Sequence, residues 1–343
     1  MTLARLLGIE TSCDESAAAV VAEGTQVLSN VVASQVDFHQ KYGGVVPEIA
    51  SRKHLEALPY VIEEALAGAG LAASQVDGIA VTAGPGLEGS LLVGVSTAKA
   101  LAGALEKPLL GVHHVEAHLY ANFLDRPNLR PPLLCLVASG GHSDLIALTQ
   151  HCRYQLVAVT RDDAAGEALD KVGRLLGLPY PAGPHMDRLA RSGNRERIRF
   201  PRARLRDSLD FSFSGLKTAA YRHISSLTPE QLEAQRADIC ASFQEAVVEP
   251  LVEHTLRAAH DLGFEQVCAS GGVAANSRLR ESFEQRCRQE GMTFVSPPAA
   301  LCTDNAAMVA AAGFFRARLG LVNDLYLDVD ANMPLPAGDD RPI

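Results

Sequence analysis

The order of parts in the first half of the chain recurs in the second, and that repetition restricts the fold more than any single motif. L-L-G-I-E-T-S-C-D-E-S-A-A-A-V-V-A, from Leu6, reads as strand, polar turn, strand, and P-L-L-C-L-V-A-S-G-G-H-S-D-L-I-A-L repeats that plan from Pro132. Each hairpin is followed by a buried strand, a glycine loop and a helix. In the first half this is G-I-A-V-T-A-G-P-G-L-E-G-S-L-L-V-G-V-S-T-A-K-A-L-A-G-A-L, and in the second Q-V-C-A-S-G-G-V-A-A-N-S-R-L-R-E-S-F-E-Q-R-C. The expectation is an internally duplicated α/β architecture with a cleft between two lobes.

The first lobe is placed at 1–128 with a helical insertion over about 33–70. The second is placed at 129–343 with a larger insertion over about 162–247, its last residues returning to the first lobe. A helix with an internal proline is expected over Pro47 to Gly70, another over His113 to Leu124, and a closing helix starting at Thr303 or Asp304. The length of 343 residues suits two cores, since one core stops growing near about 250–300 residues.

The seven cysteines are scattered without a C-x-x-C pair, which argues against a disulfide framework and for a reducing cytoplasm. Glu10 and Asp14 interrupt the first apolar run, too short for a signal peptide, and no run approaches the roughly 18 residues that cross a bilayer. A net charge of −9 counts against nucleic acid, but Arg188 to Arg206 holds eight arginines against one glutamate. That segment is either a solvated surface or a phosphate-binding one.

Three loops have the make-up of anion or ligand sites. T-S-C-D (Thr11 to Asp14) and S-G-G-H (Ser139 to His142) are small-residue turns whose backbone N–H groups can nest a phosphate. S-G-G-V-A-A-N-S opens a helix near Asn276, either as a ligand partner or as a plain helix cap. It is neither a Walker loop nor a G-x-G-x-x-G loop. D-D-A-A-G-E-A-L-D-K leads into a rigid P-Y-P-A-G-P loop that offers a ligand edge at Gly183, with Asp187 beyond.

In G-V-H-H-V-E-A-H-L-Y, His114 and His118 stand four apart on one helix face, close enough to share a metal ion. A zinc-protease reading requires glutamate directly after the first histidine; Val115 fills that place and Glu116 comes one later, about 100° around the helix. His113 and Glu116 are therefore expected to face other neighbours. A carboxylate from elsewhere is needed as third ligand, and Asp304 is the candidate.

E-T-S-C-D-E, G-G-V-V-P-E-I-A-S-R-K-H, T-A-G-P-G-L, H-H-V-E-A-H, S-G-G-H, D-D-A-A-G-E-A-L-D-K, Y-P-A-G-P, F-S-F-S-G-L-K-T, S-G-G-V-A-A-N and C-T-D-N-A-A-M follow one another between about Leu7 and Gly313. In this order they resemble the universal tRNA threonylcarbamoyladenosine transferase family, once labelled O-sialoglycoprotein endopeptidase. The resemblance implies a two-lobed fold of the actin, Hsp70 and sugar-kinase type. It implies one divalent metal ion per chain, iron(II) or zinc, on His114, His118 and Asp304. It implies nucleotide-substrate contacts from Val137, Ala138, Ser139, Gly140, Gly141, Asp170, Gly183, Asp187 and Asn276.

The implied reaction moves a threonylcarbamoyl group from threonylcarbamoyl-AMP to adenosine 37 of tRNAs reading codons that begin with A. The implied partners are tRNA, a degenerate paralogue and a small ATPase, with no membrane. Ser16, Ser143 and Ala182 depart from the family pattern, each small for small. Asp14 is expected to orient the nucleophile or an ion, and Arg195, Arg197, Arg199, Arg202 and Arg204 to grip the tRNA backbone. The rival readings are a small-molecule kinase or ATPase of the same fold and a non-catalytic nucleotide-binding scaffold.

Overall fold

The computed structural model describes residues 3–203, 205 and 208–336. The chain divides into two compact units, Met1–Pro131 with Leu148–Gln155 and Thr303–Ile343, and Pro132–Ala147 with Leu156–Cys302. The stretch from Thr303 groups with the first unit, the sense in which the sequence reading had the last residues of the second lobe return to the first.

Unit 1 begins with β1 (Arg5–Glu10), β2 (Glu15–Ala22) and β3 (Gln26–Ser34). These form an antiparallel meander, with β2 paired to both neighbours. α1 (Val36–His39) and α2 (Pro47–Gly68) make the insertion, and α2 carries Pro59 inside it as expected. β4 (Gly78–Gly84), α3 (Glu88–Leu105), β5 (Leu109–His113) and α4 (His114–Tyr120) follow. The sheet order is β3-β2-β1-β4-β5, with β1, β4 and β5 parallel. β4 and β5 are buried along their whole length, as parallel strands covered on both faces must be.

Unit 2 holds β6 (Leu133–Ala138), β7 (Ser143–Gln150) and β8 (Arg153–Ala158), although the turn end of β7 and β8, Leu148–Gln155, groups with unit 1. Its insertion is helical: α5 (Ala165–Leu175), α6 (Ala182–Ala190), α7 (Ser214–Ser225) and α8 (Pro229–Leu262). β9 (Gln266–Ser270), α9 (Ser277–Glu290) and β10 (Thr293–Val295) complete a sheet of order β10-β9-β6-β7-β8. α8 is the central helix, burying Ile239, Phe243, Val247, Leu251 and Leu256 among the core side chains of this unit.

The chain closes in unit 1 with α10 (Ala306–Arg318). Thr303, Asp304 and Asn305 all have capping side chains, and Asn305 takes the role: its oxygen accepts from the Met308 N–H at 3.1 Å. The helix therefore starts later than the Thr303 or Asp304 expected. α10 lies hard against the sheet because two glycines let it. A Cβ on Gly8 of β1 would collide with the Ala306 carbonyl, and one on Gly313 with the Ala80 side chain. This contact holds the turn before α10, with Asp304, against the sheet. The helix expected over His113 to Leu124 is shorter in the structure, α4 ending at Tyr120.

Candidate metal centre and glycine-loop site

β5 ends at His113, which caps α4: its Nδ1 accepts from the Val115 N–H at 3.1 Å, and Nε2 lies 3.0 Å from the Met333 carbonyl. That cap sets the first turn of α4 and sends His114 and His118 out on one face, their ring centroids 4.7 Å apart. Asp304 Oδ1 lies 3.7 Å from His114 Nε2 and 3.2 Å from His118 Nε2, and the three donor atoms fall within 4.8 Å of one another. Two donors on neighbouring corners of a tetrahedron with bonds of about 2.1 Å stand roughly 3.4 Å apart. The observed separations bracket that value. His118 is fully buried, and neither ring nitrogen makes a hydrogen bond among the described residues; the 3.2 Å approach to Asp304 lacks hydrogen-bond geometry. Buried polar atoms are normally partnered. A bare imidazole nitrogen and a carboxylate oxygen aimed at one point fit a shared divalent cation.

The surroundings carry excess negative charge. Burial opposes protonation of His114, yet the Asp304 and Glu10 carboxylates push its imidazole up to about 9. Burial pushes the Glu15 carboxyl up to about 8, helped by the charges of Asp14 and Asp304. Asp14, in the turn between β1 and β2, is raised by burial and by Asp304, against a hydrogen bond from Cys13. Such carboxylates are relieved by a cation.

Glu116 faces away from the donors, as the sequence reading expected. It is fully buried, accepts from the Tyr154 hydroxyl at 2.6 Å, and pairs with Arg316 of α10 at 3.1 Å. The pair ties α4 to α10, the two helices that bring the histidines and Asp304 together. Sequence reasoning missed Arg316, and it missed Glu10 and Ser12, which meet His114 Nδ1, and Thr82, which binds Glu10. The available signal was a glutamate ending an otherwise apolar buried strand.

In unit 2 the turn after β6 is closed by Ser139, whose N–H donates to the His142 carbonyl at 2.8 Å. Two glycines press on it: a Cβ on Gly166 of α5 would strike the Ser139 carbonyl, and one on Gly271, at φ +87°, the Ala138 carbonyl. Gly140 and Gly141 face open space, where an added Cβ meets nothing within 4 Å. Asp170 accepts from the Ala182 and Gly183 N–H groups at 2.7 and 3.2 Å, holding the first turn of α6. Asp187 accepts from the Ser277 hydroxyl at 2.8 Å and, at 3.5 Å, from Arg191.

Asn276 caps α9: its oxygen accepts from the Leu279 N–H at 3.0 Å, and its amide donates to Gln244 at 2.9 Å. A short 3-10 turn, Gly272–Ala275, precedes α9, so the helix does not open directly on the glycines. The structure thus brings Ser139, Gly166 and Gly271 together, and separately links Asp170 to Gly183 and Asp187 to Ser277 beside Asn276. Arg195, Arg197 and Arg199 are exposed, Arg202 is bound to Glu249 at 2.9 Å, and Arg204 lies outside the described residues.

The solved structure of HypF from T. kodakarensis superposes with a TM-score of 0.61 at 15% identity, covering 92% of this chain and 48% of that one. Component A of the (R)-2-hydroxyglutaryl-CoA dehydratase of Acidaminococcus fermentans gives 0.54 at 16%, covering 92% and 99%. At such identities the likeness speaks for the fold alone, the duplicated α/β fold of actin-like proteins. Sequence relatives are much nearer. The tRNA N6-adenosine threonylcarbamoyltransferase of Symbiobacterium thermophilum is 55% identical over 97% of both chains. That of Clostridium perfringens is 48% identical over 96% of this chain and 98% of its own. Residues 26–311 match the profile of the family described as tRNA N6-adenosine threonylcarbamoyltransferase, a span that takes in both histidines of α4, Asp304 and the glycine turns. With that span and those relatives, the chain belongs to the tRNA N6-adenosine threonylcarbamoyltransferase family.

Proposed function

We propose that the protein transfers the threonylcarbamoyl group of threonylcarbamoyl-AMP to the N6 amine of adenosine 37 in tRNAs that read codons beginning with A. The amine attacks the carbamoyl carbon, the bond from that carbon to the phosphate oxygen breaks, AMP leaves with the bonding pair, and the nitrogen gives up one proton. The observation that carries this reading is the His114, His118 and Asp304 donor set, in a chain that matches the transferase family along most of its length.

A divalent ion held by those three side chains, iron(II) or zinc, would supply Lewis acidity toward an acyl or phosphate oxygen of the adenylate. The chain's own residues do the positioning. The backbone of Val137, Ala138, Ser139, Gly140 and Gly141 nests the phosphate, the open face at Gly140 and Gly141 leaving room for it. Asp170 holds Gly183 against the nucleotide, and Asp187 and Asn276, both tied to the start of α9, complete its contacts. Asp14 orients the incoming amine or an ion. An aromatic amine is a weak nucleophile, so much of the rate comes from holding it in line with the carbonyl.

Arg195, Arg197 and Arg199 present guanidinium groups to the tRNA backbone, which lets a chain of net charge −9 bind RNA locally. Arg202 and Arg204 extend that stretch in sequence. The partners assigned are a degenerate paralogue and a small ATPase, and the compartment is the cytoplasm; seven cysteines with no disulfide among the described residues support a reducing one. No helix among the described residues is long and apolar enough to cross a membrane.

The test is purified protein, with and without those partners, given threonylcarbamoyl-AMP and unmodified tRNA, with mass spectrometry of the nucleosides. Threonylcarbamoyladenosine and AMP in equal amounts are expected. Nucleotide consumption without modified tRNA overturns the assignment in favour of a kinase or ATPase.

A further inference from the structure

Glu10 is the last residue of β1 and is fully buried, with every strand residue after Arg5 buried as well. Its carboxylate is held on both oxygens. Oε1 accepts from the Ser12 N–H at 2.6 Å, and Oε2 accepts from the Thr82 hydroxyl at 2.7 Å. The same Oε2 lies 3.1 Å from His114 Nδ1, and the Ser12 hydroxyl stands at 3.1 Å from that nitrogen too. The other nitrogen of the ring, Nε2, is the one turned to Asp304.

A carboxylate has lone pairs and no proton to give. The nitrogen facing it must therefore carry a proton, and in the neutral ring that a metal requires this leaves the lone pair on Nε2. We infer that Glu10 is a positioning residue that fixes His114 as the Nδ1–H tautomer, so that Nε2 is the atom offered to the metal. The inference rests on the proposed metal site and deepens it, since a ligating histidine is ready only when its other nitrogen has an acceptor. His118 has no such partner for Nδ1 among the described residues, so the preset ligand of the pair is His114.

Glu10→Gln is a sharp probe because the pocket dictates the orientation of the amide. The Ser12 N–H can only donate, so the amide oxygen must take the Oε1 place. The NH2 group then occupies the Oε2 place, beside the Thr82 hydroxyl, which can turn to accept, and His114 Nδ1. An NH2 there donates to Nδ1 and drives the proton to Nε2, blocking the ligand atom. Loss of such an outer partner lowers metal affinity by about 10–100-fold. Thr82→Val is the control: it removes one hydrogen bond from the same carboxylate and leaves the acceptor facing His114.

The experiment titrates zinc into the full-length apoprotein and its variants by competition with a chromophoric chelator, with circular dichroism to confirm the fold. Expected is a 10–100-fold weaker Kd for Glu10→Gln and only a few-fold change for Thr82→Val. Equal zinc affinity of Glu10→Gln and the unaltered protein overturns the inference, as does an equal loss in Thr82→Val, which would mark mere stiffening. If the unaltered protein binds no zinc or cobalt, it is the metal reading itself that fails. Long-range 1H–15N correlation of the zinc-loaded, unaltered protein gives a readout independent of any variant's folding. The His114 Nδ1 resonance should be protonated and Nε2 metal-shifted, and the reverse assignment overturns the inference.

Discussion

The two units build their candidate sites from different materials. In unit 1 the site is made of buried side chains, two histidines and an aspartate enclosed by further carboxylates, with a glutamate–arginine pair behind them. In unit 2 it is made of backbone: a turn whose outer glycines are bare and whose inner neighbours, Gly166 and Gly271, are present because no side chain fits. The first arrangement sets charge and coordination, the second sets shape. Damage to the first should erase the chemistry, and damage to the second should grade it.

The largest expected effect separates them most cleanly. Replacing His118 or Asp304 by alanine should abolish stoichiometric metal and lower transfer beyond the roughly 100-fold that outer-shell changes reach. Full metal content with full activity in either variant would remove unit 1 from the chemistry. Next, Arg316→Met leaves the Glu116 carboxylate buried without its cation, and should cost about 3–5 kcal/mol in denaturant-measured stability. A negligible cost would mean that the pair does not clamp α4 to α10.

In unit 2, Gly271→Ala forces a side chain onto φ +87° against the Ala138 carbonyl and should lose about 1–3 kcal/mol or more. Gly140→Ala meets nothing within 4 Å and should leave Tm unchanged while raising KM for the adenylate. Equal Tm values for these two variants would dissolve the distinction between inner and outer glycines. Changing Arg195, Arg197 and Arg199 together to alanine should lower the salt slope of tRNA binding by roughly 2 to 3. An unchanged slope removes the arginine stretch from the interface.

The smallest effect concerns the periphery of unit 1. His151 stacks on Phe315 at 3.9 Å, and burial, with Arg130 and Arg318 nearby, pushes its imidazole down to about 4. The fold thus holds it neutral where the unfolded chain binds a proton. Its contribution is intact above about pH 6.5 and is lost as the pH falls toward 4. His151→Phe should flatten that part of the stability–pH curve.

Much of this was legible in residue order. The repeated hairpin and strand–loop–helix plan gave the two sheets, and helical spacing gave the histidine pair. β3 escaped because its residues are half-buried without alternation, so neither strand template is met. The start of α10 was misjudged because three successive residues can cap, and one of them, Asp304, is turned to the histidines instead. Glu10 and Arg316 act across 104 and 200 residues of sequence, on His114 and Glu116, and no local pattern encodes such partnerships.

The clamp between α4 and α10 also has a consequence in time. A ribosome makes the two histidines long before the aspartate, and Glu116 two hundred residues before the arginine that neutralises it. Until the last helix emerges and seats on Gly8, unit 1 has an open coordination sphere and an unpaired buried acid. A chain released early would carry a finished unit 2 and an unfinished unit 1. A chain cut before Asp304 would hold both histidines and lack the third donor.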